Sequence, residues 1–363
     1  MKTALAALAQ ELGFDLCRIA RCVTPPHAAE FREWLADGRA GDMAWLARNQ
    51  DRRTDPQQVL PGARSVIVLG MNYFSEIGDA SSEMGDARGL QVRSSLSELP
   101  SPISGRIARY AWGDDYHDVI EGKLRSLDAW LLERGGRQRC YVDTGPVLER
   151  DFAALAGAGW HGKSTMLIHP KLGTWFFLAE ILTTLDLEPD APMADHCGKC
   201  TRCITACPTG AITAPHQLDA RRCVSYLTIE NKGPIPEEFR VAMGDRIYGC
   251  DDCLTACPWN RFAQTSREST FAAREYVHEW ALRDFLALDD EGFRRLFRKS
   301  PIKRIKRRGF LRNVCVALGN VGTGEDLAAL RKAGEDAEPL IAEHARWAIE
   351  RIAQRENPKS EIP

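Results

Sequence analysis

The chain has 363 residues, 44% of them apolar and 27% charged, with a formal charge of −2. These are the proportions of a soluble globular protein with room for two or three domains, and no apolar run reaches membrane-spanning length. Twelve cysteines in so long a chain do not make a small secreted disulfide scaffold. Eight of them fall between Cys197 and Cys257, which in a cytosolic setting points to metal ligation.

Residues 1–16 (MKTALAALAQELGFDL) place Leu5, Leu8 and Leu12 at helical spacing, and Gln10, Glu11 and Asp15 break the apolar run. An amphipathic first helix is predicted, not a signal peptide. Residues 63–73 (ARSVIVLGMNY) and 137–145 (RQRCYVDTG) read as strands, and 117–136 (HDVIEGKLRSLDAWLLERGG) as an amphipathic helix ending at Gly135. Residues 76–104, polar and rich in Ser and Gly, are expected to form a loop or lid. Asp143 and Thr144 stand just past a strand end. Taken alone they suit an N-cap for the next helix, with Pro146 in its first turn. A carboxylate at a strand end is also a common position for a proton donor or acceptor.

Residues 157–164 (GAGWHGKS) satisfy the nucleotide-binding pattern G-x4-G-K-[ST], and their first six residues satisfy GxGxxG. That mechanism needs a strand entering the glycine loop and a helix leaving it. Here Val147, Leu148, Asp151, Phe152 and Leu155 read as a helix before the loop, with Gly157 as its stop. Residues 165–182 (TMLIHPKLGTWFFLAEIL) read as two strands joined by a Pro–Gly turn. The context predicts a glycine-rich bend close to a large cofactor. An ATP-dependent reductase built on Lys163 is the reading it opposes.

Residues 196–212 (HCGKCTRCITACPTGAI) carry Cys-x2-Cys-x2-Cys-x3-Cys-Pro, the run of bacterial two-cluster ferredoxins. In that pattern three thiolates hold one cube and the Cys before Pro ligates the other. Cys250, Cys253 and Cys257-Pro258 repeat the spacings. Ile247 stands where a symmetric motif would begin, and Cys223 is the natural substitute. The expected sets are Cys197, Cys200, Cys203 and Cys257 on one 4Fe–4S cluster, and Cys207, Cys223, Cys250 and Cys253 on the other. A pair of zinc sites is the alternative for CxxC pairs, but zinc does not account for two CxxC-x3-CP endings. Cys17, Cys22, Cys140 and Cys315 are expected to be small core residues.

Residues 294–312 hold ten Lys or Arg and no acid, leaving 38 basic against 50 acidic side chains elsewhere. A block of this kind is a solvated face or a phosphate contact, and the mutual repulsion of so many cations favours phosphate. Residues 300–355 read as two or more short helices. Val314, Ala317 and Leu318 recur in Ala345, Ala348 and Ile349, as in helical solenoid repeats.

Long blocks of the chain together resemble the epoxyqueuosine reductases along almost its full length. They include RRTDPQQVLPGARSVIVLGMNY, GRIARYAWGDDYH, YVDTGPVLERDFA, GWHGKSTMLIHPKLGTWFFLAEILTT, LDARRCVSYLTIE and both cysteine motifs. The resemblance implies an α+β fold in three parts. They are a nitroreductase-like cobalamin-binding catalytic domain over 1–187, a ferredoxin-like domain with two 4Fe–4S clusters over 188–262, and a helical linker with a HEAT-like tRNA-binding domain over 263–363. It implies an enzyme that removes the epoxide oxygen of epoxyqueuosine at the tRNA wobble position, giving queuosine. That reaction needs two electrons and two protons. The clusters deliver electrons singly and cobalt can collect two.

By the same resemblance Asp143 is the proton donor, with a carboxyl whose pKa must be raised for the task. Cobalamin enzymes with a histidine ligand carry D-x-H-x-x-G, whereas residues 115–120 (DYHDVI) end in Ile. No ligand is therefore expected from His117, and the cofactor should bind with its base off the metal. Corrin or tail contacts are expected from Arg106, Tyr110, Asp143, Lys163, Ser164, Met166 and Ser225; relatives often have an amide or imidazole residue where Ser164 stands. Lys303, Arg304, Lys306, Arg307, Arg308 and Arg312 are the expected tRNA contacts. Their role is sequence-independent positioning, while a flipped base is read at the corrin. A cytoplasmic monomer served by an external low-potential electron donor is expected. A reductive dehalogenase-like enzyme would lack the basic tail, and a non-catalytic electron carrier would not need the large N-terminal half.

Overall fold

The computed structural model describes residues 1–75 and 104–356. The segment expected as a loop or lid lies outside the described residues, except for its last residue. Among those residues the strands are β1 (Leu16–Arg21), β2 (Ser65–Asn72), β3 (Arg106–Ile107), β4 (Gln138–Tyr141), β5 (Trp160–His161), β6 (Leu167–Ile168), β7 (Phe176–Thr183), β8 (Ile212–Ala214), β9 (Gln217–Leu218) and β10 (Arg246–Tyr248). The main sheet has the order β1-β2-β7-β4, and each neighbouring pair is antiparallel.

β2 is buried at every position, because helices cover both faces of the sheet. Ile67, Leu69 and Met71 point to one face, against Leu5 and Ala9 of α1 (Lys2–Glu11) and Ile120, Leu124, Leu127 and Leu131 of α2 (Tyr116–Leu132). Val66 and Val68 point to the other, against Phe152 and Ala153 of α3 (Glu149–Leu155). The strict alternation is what a pleated strand requires, and the four α2 positions form one stripe of a helix. The strands and helices predicted from periodicity form close to the predicted limits. β1 is absent from the sequence reading: LCRIAR mixes charge and apolar residues without clean alternation.

The glycine motif does not build a phosphate loop. α3 ends at Leu155, Gly157 turns the chain with φ +67, and β5 then pairs antiparallel with β6. No strand enters the loop and no helix leaves it. A Cβ on Gly157 would lie 2.2 Å from the carbonyl oxygen of Ala191. The glycine is thus required by close approach of two backbones. β6 and β7 do flank a Pro–Gly turn, closed by the His169–Gly173 bridge, but they pair with different partners.

The cysteine-rich stretch is sewn into the rest. β10 pairs parallel with β3, and one apolar core joins Ile107 and Trp112 to Ile247 and Tyr248 and to the C-terminal helices. Those helices are α4 (Lys306–Val321), α5 (Leu327–Gly334) and α6 (Pro339–Glu356). The repeated apolar positions, Val314, Ala317 and Leu318 on α4 and Ala345 and Ala348 on α6, are buried in it. Of the scattered cysteines Cys315 is buried as expected, whereas Cys17, Cys22 and Cys140 are half-buried. No helix among the described residues is long and apolar enough to cross a membrane.

Candidate functional site

The eight clustered thiols fall into two groups of electrostatic neighbours. The Cys257 thiol is pushed up to about 11, first by burial and then by Cys197, Cys203 and Cys200. Burial and then Cys223, Cys250 and Cys207, among other neighbours, push the Cys253 thiol up. Cys223 in turn has Cys207 as its thiol neighbour. Cys257 therefore groups with cysteines far upstream rather than with Cys250 and Cys253, its neighbours in sequence.

Several expected corrin contacts gather where the N-terminal half meets the cysteine-rich half. Lys163 Nζ donates to the carbonyls of Gly198 (2.6 Å) and Cys200 (3.0 Å), so it holds the first cysteine loop. Arg106 pairs with Asp245 (2.6 Å) and Asp252 (3.3 Å). The Tyr110 ring lies 6.0 Å from Tyr248 and 6.1 Å from Tyr116. Ser225 lies two residues past Cys223, in the first turn of the helix Val224–Ile229. Ser164 is buried and Met166 packs at the edge of the α2-side core. Asn260, just past Cys257-Pro258, accepts from Thr174 N (2.9 Å) and Oγ1 (3.0 Å), which is a second tether between the halves.

Asp143 stands two residues beyond β4 with φ +55, a left-handed backbone that Asp tolerates better than most residues. Its side chain is 58% exposed. Tyr116 Oη donates to its Oδ2 at 2.7 Å, and the Tyr116 ring is itself stacked on Phe177 (centroids 4.2 Å apart, 8° between planes). His117 Nε2 lies 3.9 Å from the same oxygen. His117 Nδ1 is 2.7 Å from Asp115, which orients the ring. The N-cap reading of Asp143 and Thr144 fails: the residue before α3 is Leu148, with no side-chain cap.

The basic block borders this site. Lys303 Nζ reaches Asp115 at 3.0 Å and Arg304 pairs with Glu230 at 2.7 Å. Burial alone would raise the Asp115 carboxyl, but the bonds from His117 and Lys303 prevail and hold it at about 2. Lys303, Arg304, Lys306 and Arg308 are exposed. Arg307 is half-buried and paired with Asp336.

Arg312 corrects the sequence expectation. It is 1% exposed and donates to the carbonyls of Leu227 (2.8 Å), Asn231 (2.8 Å) and Gly233 (2.7 Å). It cannot meet a phosphate, because α4 is buried on every side from Gly309 to Gly319, whereas Lys306 and Arg308 lie in its first turn, which is open to solvent. Burial, with help from Arg308, lowers its guanidinium to about 10, so it stays charged at neutral pH. Arg312→Ala would leave three carbonyls without donors and should destabilise the fold by about 3 kcal/mol or more. Denaturant unfolding will measure that loss, and tRNA affinity corrected for folded fraction should not change.

Residues 196–260 match the family described as "4Fe-4S double cluster binding domain". Two quartets of thiols on a mixed α/β body beside an exposed, hydrogen-bonded carboxylate make this an iron–sulfur oxidoreductase. Residues 53–144 match "Epoxyqueuosine reductase QueG, DUF1730". The epoxyqueuosine reductase of Xanthomonas campestris pv. campestris is 43% identical over 349 residues, covering 95% of this chain and 94% of that protein. That of Escherichia coli K12 is 39% identical, covering 96% and 88%. The chain therefore belongs to the epoxyqueuosine reductase family. Among solved structures, an epoxyqueuosine reductase with an epoxyqueuosine-modified tRNA-Tyr stem loop superposes with TM-score 0.87 at 31% identity, covering 98% of this chain and 92% of that one. The Bacillus subtilis enzyme, with a catalytic loop named for an aspartate swung out of the active site, gives TM-score 0.83 at 29% identity, covering 99% and 94%.

Proposed function

We propose that this protein reduces epoxyqueuosine to queuosine at the wobble position of tRNA. The observation that carries the reading is the sharing of one face by three features. Asp143 is exposed beside Tyr116 and His117, the thiol quartets lie across the junction, and Lys303 and Arg304 reach the acids that border the site. The family's relatives are named for this reaction, and one is solved with the modified stem loop.

The ligand sets are Cys197, Cys200, Cys203 and Cys257, and Cys207, Cys223, Cys250 and Cys253, supported by their grouping in space. Cobalamin would be held at the junction by Tyr110 and Met166 as apolar surface, and by Arg106, Lys163, Ser164 and Ser225 at its polar edges. Ile120, where D-x-H-x-x-G would have glycine, supports binding with the nucleotide base off the metal and without His117 as ligand. When bound, cobalamin supplies a centre that stores two electrons received singly. Asp143 gives a proton to the oxygen that leaves carbon. Tyr116, pinned by Phe177, fixes Asp143 Oδ2, and the exposed flank lets a base flipped from its stack come within reach. The catalytic aspartate loop named for the B. subtilis enzyme supports Asp143, which lies on a loop here too.

Lys303, Arg304, Lys306 and Arg308 position the anticodon arm through phosphate, with Arg307 restrained by Asp336. Helices α4, α5 and α6 form the HEAT-like unit behind them. The electron donor is an external low-potential protein and the enzyme works as a monomer in the cytoplasm. The test is anaerobic turnover of epoxyqueuosine-containing tRNA with reductant, with and without cobalamin, followed by nucleoside mass spectrometry. Loss of one oxygen that depends on cobalamin is the expected result; an intact nucleoside with both clusters present overturns the reading. In the same preparation, Lys306→Glu with Arg308→Glu should weaken tRNA binding. The slope of log affinity against log salt should fall by about 2.

A further inference from the structure

Two buried acids behind Asp143 have no part in the mechanism so far. Glu180 sits mid-strand in β7, opposite Val68 and Tyr141, and is 0% exposed. Its neighbours Ala179 and Ile181 belong to the α2-side core and Leu182 to the α3-side core, so alternation turns Glu180 toward α3. Glu149 is the first residue of α3. Both carboxylate oxygens of Glu180 and Oε1 of Glu149 are buried, and no N–H or O–H among the described residues donates to them. α3 packs against β7, which brings the Glu149 carboxyl beside that of Glu180, with Asp143 next to both. Two carboxylates side by side, buried and without a donor, repel and lack solvation, so at least one is a carboxylic acid.

The surroundings agree. Burial first, and then the Asp143 charge, push the Glu149 carboxyl up to about 8. Burial, then Glu149 and Asp143, push Glu180 well above the carboxylate range. The groups facing the pair are Asp143, the Tyr116 phenol, Arg53 and Arg150, with Tyr141 across the strand. Arg53 Nη1 is spent on the Val147 carbonyl (3.0 Å) and Arg150 Nη1 on that of Thr165 (2.7 Å). Neither forms an ion pair with the acids.

We propose that Glu149 and Glu180 are a buried proton store that recharges Asp143, furnishing the second of the two protons each turnover consumes. This rests on Asp143 being the acid. In the first transfer Asp143 protonates the oxygen as its bond to carbon breaks, and is left as a carboxylate. Glu149 then releases a proton to Asp143 across one side-chain rotation or one bridging water. The remaining proton is shared between Glu149 and Glu180 as a carboxyl–carboxylate contact. Asp143 passes the second proton on, so that the oxygen departs as water, and solvent refills the pair. Both electrons arrive through the clusters, and none crosses the carboxyls. Glu149 and Glu180 act through Asp143 and are positioning residues.

The test uses cluster- and cobalamin-loaded enzyme with epoxyqueuosine-containing tRNA. Glu149→Gln and Glu180→Gln should each lower kcat about tenfold or more with KM for tRNA unchanged, and Glu149→Asp should recover part of the loss. The wild-type rate should fall as pH rises through about 8, where Glu149 loses its proton; that limb should vanish in Glu149→Gln. Wild-type kcat and an unchanged limb in both glutamine variants would overturn the store while leaving Asp143 intact. Wild-type turnover by Asp143→Asn would overturn the reading beneath it. If the glutamine variants fail to fold, pH-difference infrared spectra of the wild-type enzyme decide. A protonated-carboxyl band at neutral pH that is lost near the same pH supports the store, and its absence at neutral pH overturns it.

Discussion

Asp143→Asn is expected to lower kcat for epoxyqueuosine reduction by about a thousandfold, with iron content and tRNA affinity at wild-type levels. Asparagine keeps the size of the side chain and can still accept from Tyr116 Oη, which in the wild type lies 2.7 Å from Oδ2. It has no proton to give. The left-handed backbone, φ +55, suits Asn as well as Asp, so the loop should keep its shape. Nucleoside mass spectrometry measures the rate, filter binding the affinity and iron analysis the clusters. A variant that turns over normally would remove Asp143 from the chemistry.

The second large effect concerns the clusters. Cys257→Ser should abolish turnover and halve the bound iron, because it opens the cube shared with Cys197, Cys200 and Cys203. The informative measurement is additivity. Cys200→Ser with Cys257→Ser should lose no more iron than either alone, since both open one cluster. Cys200→Ser with Cys253→Ser should lose nearly all of it. If the pairing followed proximity in sequence, with Cys257 beside Cys250 and Cys253, the Cys200/Cys257 combination would strip both clusters. Iron analysis and electron paramagnetic resonance of reduced protein separate the two outcomes.

How far the site was legible depended on how local its determinants are. The cluster domain was legible because a cube held by closely spaced cysteines leaves a fixed interval in the chain, and the double-cluster family matches the same stretch. α2 and β2 were legible because one period runs through each. The phosphate-loop match was avoided by reading what surrounds it, and the structure replaces it with a hairpin. The basic block shows the limit: the composition reveals ten cations but not which are already paired. Arg312 faces three carbonyls of residues 227–233, far upstream, and nothing in its neighbourhood announces that. In the sequence Glu180 is only a charge within the apolar run of residues 175–182. Its meaning depends on Glu149, which reaches it through the packing of α3 on the sheet.

The parallel pairing of β3 with β10 bears on how this enzyme can fail and how it can evolve. The cysteine-rich stretch contributes a strand to the N-terminal half and shares an apolar core with the C-terminal helices. It is therefore no detachable cassette, and exchanging it for a ferredoxin from elsewhere would leave an open edge and a torn core. Oxygen that destroys the cubes should also loosen the helices that bear Lys306 and Arg308. A cell under oxidative stress would then lose electron delivery and the grip on RNA together, leaving no half-active enzyme to sequester its tRNA.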